Sequence, residues 1–202
     1  MKQLLIIGAS GHGKVVADIA HLNGYDRILF FDDNAELREC GTDPIIGASA
    51  DIEKYEGDVI VAIGNSEIRE RIQRSLNHRH FPVLIHPSAV VADTACIGDG
   101  TVVMAGAVVN PFAAIGEGCI INTCSSVDHD CEIGNYVHVS VGSHIAGTVI
   151  VGDRTWIGIG ASVSNNLNIC SDCMIGAGAL VIRNIEKSGT YFGVPAKLIK
   201  AY

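Results

Sequence analysis

The sequence predicts an α/β N-terminal domain that is followed by an all-β domain, a parallel β-helix of hexapeptide repeats. In the first part of the chain, short apolar runs that end at glycine or acidic residues alternate with helical patterns. In the second part, Val or Ile recurs at every sixth residue. Two prolines bracket the passage between the parts, and we place the domains at residues 1–85 and 86–202.

The N-terminal domain is predicted to be a small Rossmann-like parallel sheet. Its apolar runs have the length of buried strands, and the segments between them carry apolar residues at helical spacing. Ile68, Ile72 and Leu76 define the apolar face of the second helix. The predicted elements are strands at residues 4–7, 28–31 and 59–63 and helices at residues 14–22 and 66–76.

The loop after the first strand reads GASGHGKVV and resembles two phosphate-binding motifs without completing either. A Walker A loop needs Ser or Thr where the chain has Val15, and a dinucleotide fingerprint needs Gly where it has Ser10. A glycine turn at a helix N-terminus still offers backbone N–H groups to a phosphate. Asp32 and Asp33 end the second strand at the same sheet edge. The loop therefore predicts binding of a nucleotide-linked molecule without its cleavage; the alternative is a simple strand-to-helix connection.

The repeat of the second domain is the strongest signal in the sequence. All sixteen positions from Val91 to Val181 in steps of six hold Val or Ile. From Ala95 to Ala179, the position four residues after each anchor holds a small residue, with Leu167 as the one residue larger than Val. Three such hexads make a triangular coil, so about ninety residues predict about five coils. Three cysteines fall at the small-residue position, which explains them without redox chemistry: Cys119, Cys131 and Cys173.

Charge and cysteine content exclude several classes of function. A formal net charge of -8 argues against nucleic acid as a partner. The seven cysteines cannot all pair within the chain, and the first apolar run is too short for a signal peptide or membrane span. We therefore expect a cytoplasmic protein with reduced thiols. Four of the five cations after residue 88 come late and are the candidates for binding coenzyme phosphates: Arg183, Lys187, Lys197 and Lys200.

The tripeptide Asp128-His129-Asp130 is the candidate catalytic centre. Histidine titrates near neutral pH and can remove a proton from an amine acceptor, while a carboxylate on its other ring nitrogen would fix the tautomer. Either neighbouring aspartate could be that carboxylate. His129 lies two positions after the anchor Val127 and should point outward. We expect direct transfer in a ternary complex, with Cys124 and Ser125 as the acyl carriers to be excluded.

The whole chain resembles the bacterial nucleotide-sugar acetyltransferases of the sialic-acid O-acetyltransferase-like group. The matching stretches are IIGASGHGKVVADIA, FFDD, AIGNSEIR, SSVDHDCEIGNYVHVSVGSHIAGTV and the late GVPAK. The most similar members acetylate the 4-amino group of UDP-4-amino-4,6-dideoxy sugars, as in bacillosamine synthesis. The resemblance implies a left-handed β-helix, a homotrimer with active sites between subunits, acetyl-CoA as co-substrate and no metal.

The resemblance also implies a role for particular residues. It makes His129 the base with Asp130 as its partner, and it gives the backbone N–H of Gly147 to the reacting carbonyl. Three residues would lie along the acetyl-CoA tunnel, namely His138, Ile159 and Ala177, and Lys197 is the cation that we assign to the coenzyme phosphates. Those that would line the nucleotide-sugar site are Ser10, Gly11, His12, Asp32, Asp33, Gly64 and Glu67.

Three other interpretations remain open from the sequence. A zinc carbonic anhydrase on the same scaffold would need His129, His138 and His144 to converge, although their offsets place them on different faces of one coil. An O-acetyltransferase would use a sialic-acid-type hydroxyl as acceptor. A non-catalytic trimer would bind sugar nucleotides without turnover. The sequence alone does not identify the amino sugar, the nucleobase or the glycan pathway.

Overall fold

The computed structural model describes residues 2–202 and confirms the α/β region followed by a parallel β-helix. The N-terminal sheet has five strands in the order β3-β4-β2-β1-β5, of which β3 alone is antiparallel to its neighbour. A 3-10 helix at Ser49–Lys54 follows β4. The strands are β1 (Gln3–Ile7), β2 (Arg27–Phe31), β3 (Glu39–Cys40), β4 (Asp43–Gly47) and β5 (Asp58–Val61), and the helices are α1 (Gly11–Leu22) and α2 (Ser66–Ser75).

The strand order places three loops at one edge of this sheet. Strand β1 is central, with β2 on one side and β5 on the other, so the chain changes direction across β1. Ligands of open parallel sheets bind at the carboxyl ends of the strands at such a switch point. Helix α1 begins at Gly11, three residues before the predicted start at residue 14, because the extended Ser10 acts as its N-cap. Gly13 therefore lies in the first helical turn.

Helix α2 buries a second, polar face in addition to Ile72 and Leu76 of its predicted apolar face. Ile68 is exposed, whereas Arg69 and Gln73 are buried at 1% and 5% exposure. Leu76 packs in the N-terminal core as expected. The helix lies between two packed bodies, with its aliphatic side on the sheet and its polar side on the β-helix.

The β-helix has three faces of two-residue strands, and each strand pairs in parallel with the strand eighteen residues away. The strand at Leu84–Ile85 already pairs with Val102–Val103, so the coil begins just before residue 86. The first face holds Leu84–Ile85, Val102–Val103, Ile120–Ile121, His138–Val139, Trp156–Ile157 and Cys173–Ile175; the second holds Val90–Val91, Val108–Val109, Ser126–Val127, His144–Ile145, Ser162–Val163 and Leu180–Val181; the third holds Cys96–Ile97, Ala114–Ile115, Glu132–Ile133, Ile150–Val151 and Asn168–Ile169. A final pair of strands at Gly189–Phe192 and Lys197–Ala201 extends the first face.

The predicted anchors form the interior of the coil. Every anchor from Val103 to Val181 is at most 4% exposed, while Val91 and Ile97 lie at the open end and are partly buried. The three cysteines at the small-residue position are buried, with Cys119 and Cys131 donating to backbone carbonyls of the following coil. All seven cysteines are free thiols. Burial thus accounts for the repeat cysteines, as the sequence predicted.

The corners between faces use left-handed backbone at regular intervals. Asp130 has φ of 57°, and the residues eighteen before and after it, Phe112 and Thr148, have φ of 62° and 59°. The glycines that follow the anchors serve another purpose. A Cβ on Gly116 would lie 2.8 Å from the backbone nitrogen of Asn135 in the next coil, so close approach requires glycine there.

The two parts of the chain share one apolar interface. Val16 and Ala20 of α1 belong to the same buried cluster as Val102, Met104 and Ile120 on the first face of the β-helix. The N-terminal domain thereby covers that face. Among residues 2–202, no helix has the length and apolar character needed to cross a membrane.

Replacing an anchor should destabilise the coil, whereas replacing its outward neighbour should not. Ile169 is 2% exposed and Asn168, the preceding residue of the same strand, is exposed. We expect Ile169→Ala to lower the free energy of unfolding by about 2–5 kcal/mol because it leaves a cavity in a packed interior. Asn168→Ala is the matched control and should change it by less than about 0.5 kcal/mol. Equal losses in denaturant titrations of the two variants would contradict the assigned inside and outside of the coil.

Candidate active site

His129 lies at the corner between the second and third faces, and one of its ring nitrogens is hydrogen-bonded to a carboxylate. Its Nδ1 is 2.7 Å from Oδ2 of Asp130, and both side chains are more than half exposed. The outward direction predicted from the repeat is therefore confirmed. Because Asp130 adopts the left-handed corner conformation, its side chain folds back towards His129 instead of pointing to the opposite side of a strand. The hydrogen bond at Nδ1 leaves Nε2 as the free lone pair.

Asp128, the other candidate partner, is engaged elsewhere. One of its oxygens, Oδ1, accepts hydrogen bonds from Asn110 Nδ2 at 2.7 Å and from the backbone N–H of His129 at 2.8 Å. These two bonds lower the pKa of Asp128 and keep it ionised. The pKa of His129 is raised, first by the hydrogen bond to Asp130 and next by the charge of Asp128. Asp130 thus orients the ring, and Asp128 supplies negative charge beside it.

Gly147 lies directly over His129, one coil later in the same corner column. A Cβ on Gly147 would be 2.5 Å from Nε2 of His129, a distance that only the absence of a side chain permits. Its backbone N–H has no hydrogen-bond acceptor among residues 2–202. The free N–H and the free imidazole nitrogen therefore occupy the same corner, as a general base and an oxyanion donor would.

A second cluster surrounds His138 on the first face. The ring of Trp156 lies 4.8 Å from the His138 ring at an angle of 30°, and Asn122 Nδ2 is 3.1 Å from His138 Nε2. Among the described residues, Nδ1 of His138 is buried without a hydrogen-bond partner. Burial, together with the charge of Arg69, lowers the pKa of His138 to about 3. This imidazole is neutral at physiological pH.

The predicted nucleotide-sugar residues lie at the switch-point edge of the N-terminal sheet. Asp32 accepts the backbone N–H of Ala9 at 2.7 Å and so holds the glycine loop, while Asp33 accepts the N–H of Ser49 at 2.9 Å. The side chain of Ser10 makes no capping hydrogen bond. His12 is half-buried, and burial with the charge of Arg69 lowers its pKa to about 4. Gly11 and Gly64 complete the edge at the starts of α1 and α2.

Two cavities contain further residues that the sequence singled out. A cleft of about 650 Å³ is lined by Glu67 at the start of α2 together with Arg154 and Trp156 of the β-helix. A second cavity of about 510 Å³ near the end of the coil contains Arg183 and Lys197. The structure thus brings two of the four late cations together.

The predicted site residues fall into groups on opposite sides of one chain. His12 and His138 lie on the side where the N-terminal domain covers the first face. His129 and Gly147 lie at the corner opposite that face, and Ile159 and Ala177 lie, exposed, on a third edge between the first and second faces. Because a triangular coil separates these edges, a single copy does not unite the predicted site.

The histidines of the zinc interpretation do not converge either. His138 is on the first face and His144 is on the second, while His129 is at a corner. In residues 2–202, no group of three or more His, Cys, Asp or Glu side chains is placed to hold a metal ion. The described part of one chain therefore offers no set of ligands for zinc.

Sequence reasoning missed three residues near these groups, namely Arg69, Asn122 and Trp156. Arg69 ends the quoted stretch AIGNSEIR but lies off the apolar face of its helix, so periodicity gave no indication that its side chain is buried. Asn122 precedes His138 by sixteen residues and Trp156 follows it by eighteen. The eighteen-residue stacking rule alone could have placed Trp156 beside His138.

Comparison with known proteins places this architecture in a family. The model described as the PglD N-terminal domain matches residues 3–76. The UDP-N-acetylbacillosamine N-acetyltransferase of Bacillus subtilis (strain 168) is 37% identical over 113 residues, which are 52% of this chain and 52% of that protein. The acetyltransferase domain of PglB from Neisseria gonorrhoeae FA1090 is 39% identical, with a TM-score of 0.95 over 98% of this chain and 100% of that one. The chain belongs to the family of bacterial sugar N-acetyltransferases.

Structures of family members also contain ligands. The PglB acetyltransferase domain has been solved with acetyl coenzyme A. PerB from Caulobacter crescentus, in complex with CoA and GDP-perosamine, is 34% identical with a TM-score of 0.90 over 98% of this chain and 97% of that one. Against the curated Bacillus subtilis relative, this chain spans about half of that protein's length.

A side chain at position 147 should displace the imidazole of His129. We expect Gly147→Ala to break the hydrogen bond between His129 and Asp130, so the pKa of His129 should fall towards the ordinary histidine value. Histidine NMR titration measures this change. Asn165→Ala, one coil further in the same exposed column, is the control and should leave the titration unaltered. An unchanged pKa in Gly147→Ala would show that the ring does not occupy this position.

Proposed function

We propose that the protein transfers acetyl from acetyl-CoA to the 4-amino group of a UDP-linked 4-amino-4,6-dideoxy sugar, with His129 as general base. The observation that carries this proposal is the hydrogen bond between His129 and Asp130 beneath the free N–H of Gly147. Likeness to family members over nearly the whole chain supports the reaction class. The name of the Bacillus subtilis relative supports UDP, while the PerB complex contains a GDP sugar.

The chemistry follows from the free nitrogen of the imidazole. The amine nitrogen attacks the thioester carbonyl, a C–N bond forms, and Nε2 of His129 accepts the N–H proton. Asp130 stabilises the resulting imidazolium through Nδ1. The N–H of Gly147 donates to the oxygen on which negative charge develops. The C–S bond then breaks, and the proton on His129 passes to the departing thiolate, which restores the neutral base.

Direct transfer is supported by the placement of the two possible acyl carriers. Ser125 is 1% exposed, and its hydroxyl donates to the carbonyl of Asn122 at 2.7 Å. Cys124 is exposed, but within one copy it lies on the edge of Ile159, between the first and second faces, and not at the corner of His129. Within one copy, neither side chain is placed to carry an acetyl group to the acceptor beside His129.

The acidic surroundings of His129 favour an amine over a hydroxyl as the acceptor. Asp128 and Asp130 flank the ring, Glu132 follows on the adjacent strand, and no Lys or Arg occurs between Arg79 and Arg154. An ammonium-bearing sugar is attracted by such a site, and the raised pKa of His129 makes it a stronger base. The coenzyme phosphates would be bound by Lys197 and Arg183, which share one cavity.

We further propose that the working form is a homotrimer. Within one copy, the nucleotide-sugar edge and His129 lie on opposite sides of the β-helix. A second copy that places its N-terminal edge beside this corner would unite His12, Asp32 and His129 in one site. The exposed row Val141, Ile159 and Ala177 on the third edge would then line the coenzyme channel between copies.

The proposal is tested by thiol release from acetyl-CoA with UDP- and GDP-linked 4-amino sugars and their 4-hydroxy counterparts. We expect turnover with the UDP amino sugars, and we expect His129→Ala to lower kcat by about 100- to 10,000-fold, as loss of a general base does. His144→Ala, at an exposed histidine on a different face, is the matched control and should retain activity. Full kcat/KM in His129→Ala would show that the assigned base is wrong, and turnover confined to 4-hydroxy sugars would show that the acceptor is wrong.

The pH dependence of kcat/KM should depend on Asp130. As the solution is acidified, a base with a raised pKa is protonated at a higher pH than an ordinary histidine. The acidic limb of the wild-type kcat/KM profile should therefore lie above the ordinary histidine pKa. Asp130→Asn removes the largest cause of the raised pKa, and its limb should move to lower pH. Because the titration of the substrate amine is common to both profiles, their difference reports residue 129. Glu132→Gln is the control; a shift there equal to that of Asp130→Asn would contradict the special role of Asp130.

A further inference from the structure

Arg69 of α2 is a fully buried cation at the joint between the two parts of the chain. It is 1% exposed and is the largest fully buried side chain of the described residues. Its guanidinium donates four hydrogen bonds, all to backbone carbonyls. Nη1 donates to Ile63 at 2.8 Å and Gly64 at 3.0 Å, Nε donates to Gly118 at 2.7 Å, and Nη2 donates to Tyr136 at 2.7 Å.

These four carbonyls belong to two functional segments. Ile63 and Gly64 follow β5 at the edge that we assign to the nucleotide sugar. Gly118 and Tyr136 are corner residues of successive coils, both in left-handed conformation with φ of 60° and 58°. Tyr136 precedes His138 by two residues. A single side chain therefore connects the nucleotide-sugar loop to the backbone that carries His138.

The charge of Arg69 has no carboxylate partner among residues 2–202. Burial lowers its pKa to about 10, so it remains charged at neutral pH. A buried charge that is stabilised only by carbonyl dipoles is a poor source of stability. Its planar, fixed array of donors is suited instead to holding several acceptors in one geometry, which the single ammonium group of lysine cannot reproduce.

We propose that Arg69 is a positioning residue that fixes the Ile63–Gly64 loop against the coil beside His138, so that nucleotide sugar and coenzyme meet at a set distance. This inference rests on the proposed function, because it assigns the loop to the sugar nucleotide. The same charge adds to burial in lowering the pKa of His12 and of His138. Both imidazoles therefore remain uncharged in the neighbourhood of the guanidinium.

Gln73 provides a matched control on the same helix. It lies one turn after Arg69, is 5% exposed, and donates from Nε2 to the carbonyl of Asp99 at 3.2 Å. It thus joins α2 to the same corner column of the β-helix without contacting the Ile63–Gly64 loop. Loss of this hydrogen bond disturbs the interface but not the loop.

The test compares Arg69→Lys, Arg69→Met and Gln73→Met by steady-state kinetics and by hydrogen–deuterium exchange. In Arg69→Lys we expect KM for the nucleotide sugar to rise about tenfold, which corresponds to about 1.4 kcal/mol of lost binding. We expect kcat to fall about tenfold as well, because the two substrates are no longer held at a set distance, and KM for acetyl-CoA to rise less than KM for the nucleotide sugar, since Asn122 and Trp156 also contact His138. Exchange should increase at residues 62–65 and 136–138 together. Gln73→Met should increase exchange near Asp99 and leave both KM values unchanged.

The exchange measurement does not depend on turnover and is decisive if Arg69→Met is too unstable to assay. An unchanged KM for the nucleotide sugar in Arg69→Lys, or a change equal to that of Gln73→Met, would overturn the positioning role and leave only a structural one. An unchanged exchange rate at residues 62–65 would also overturn it. If wild type turns over none of the sugars while Arg69→Lys loosens both segments, the proposed function fails and the connection through Arg69 stands.

Discussion

The stacking of each coil on the one before it determines every functional distance in the β-helix. A residue lies beside the residues eighteen positions away, as the parallel strand registers show. The pair of Gly147 and His129 arises in this way, as do the left-handed corners of Gly118 and Tyr136. Arg154 and Asp172, again eighteen apart, form a two-pronged ion pair at 2.6 Å and 2.9 Å. Functional groups on this scaffold therefore pair with residues of neighbouring coils and not with neighbours along the chain.

Three histidines on this scaffold have three different environments, and the environments account for their different chemistry. His129 is exposed, and the aspartates beside it raise its pKa, so it is suited to exchange protons near neutral pH. His138 and His12 are half-buried, and burial together with a nearby guanidinium opposes their protonation. Those two rings offer neutral donors and acceptors to ligands. The difference arises from position in the fold, since all three have the same intrinsic pKa.

Much of the β-helix was predictable from sequence because its period is short and its anchors are uniform. The anchors, the small residues and the outward direction of His129 all follow from counting in sixes. The same count could not choose between Asp128 and Asp130, because the answer depends on the left-handed backbone of Asp130, which a strand rule does not describe. The contacts between α2 and the β-helix could not be predicted from the repeat either. Ile68, Ile72 and Leu76 predict one buried apolar face, and Ile72 and Leu76 do pack in the N-terminal core. The structure buries Arg69 in addition, against carbonyls that come from distant parts of the chain.

The glycine loop shows a similar division between what the sequence predicts and what tertiary contacts add. Its position after β1 and the acidic pair after β2 were read from the chain, and both lie at the predicted edge. One carboxylate oxygen of Asp32, however, accepts a hydrogen bond from the backbone N–H of Ala9. Helix α1 also begins three residues earlier than its apolar pattern indicates. The hydrogen bond from Ala9 to Asp32 holds the loop across the sheet edge, and the extended backbone of Ser10 determines where the helix begins; the local apolar pattern indicates neither.

The register of the corner columns limits how such a chain can change length during evolution. Deleting or inserting a few residues between His129 and Gly147 would rotate every later residue to another face. Inserting one complete coil would preserve the interior and the period, yet it would bring a new residue above the imidazole and move Gly147 a full step along the axis. The segment from His129 to Gly147 therefore cannot gain or lose residues without separating the pair, while coils added beyond Asn165 would extend the β-helix without altering the distance between the two groups.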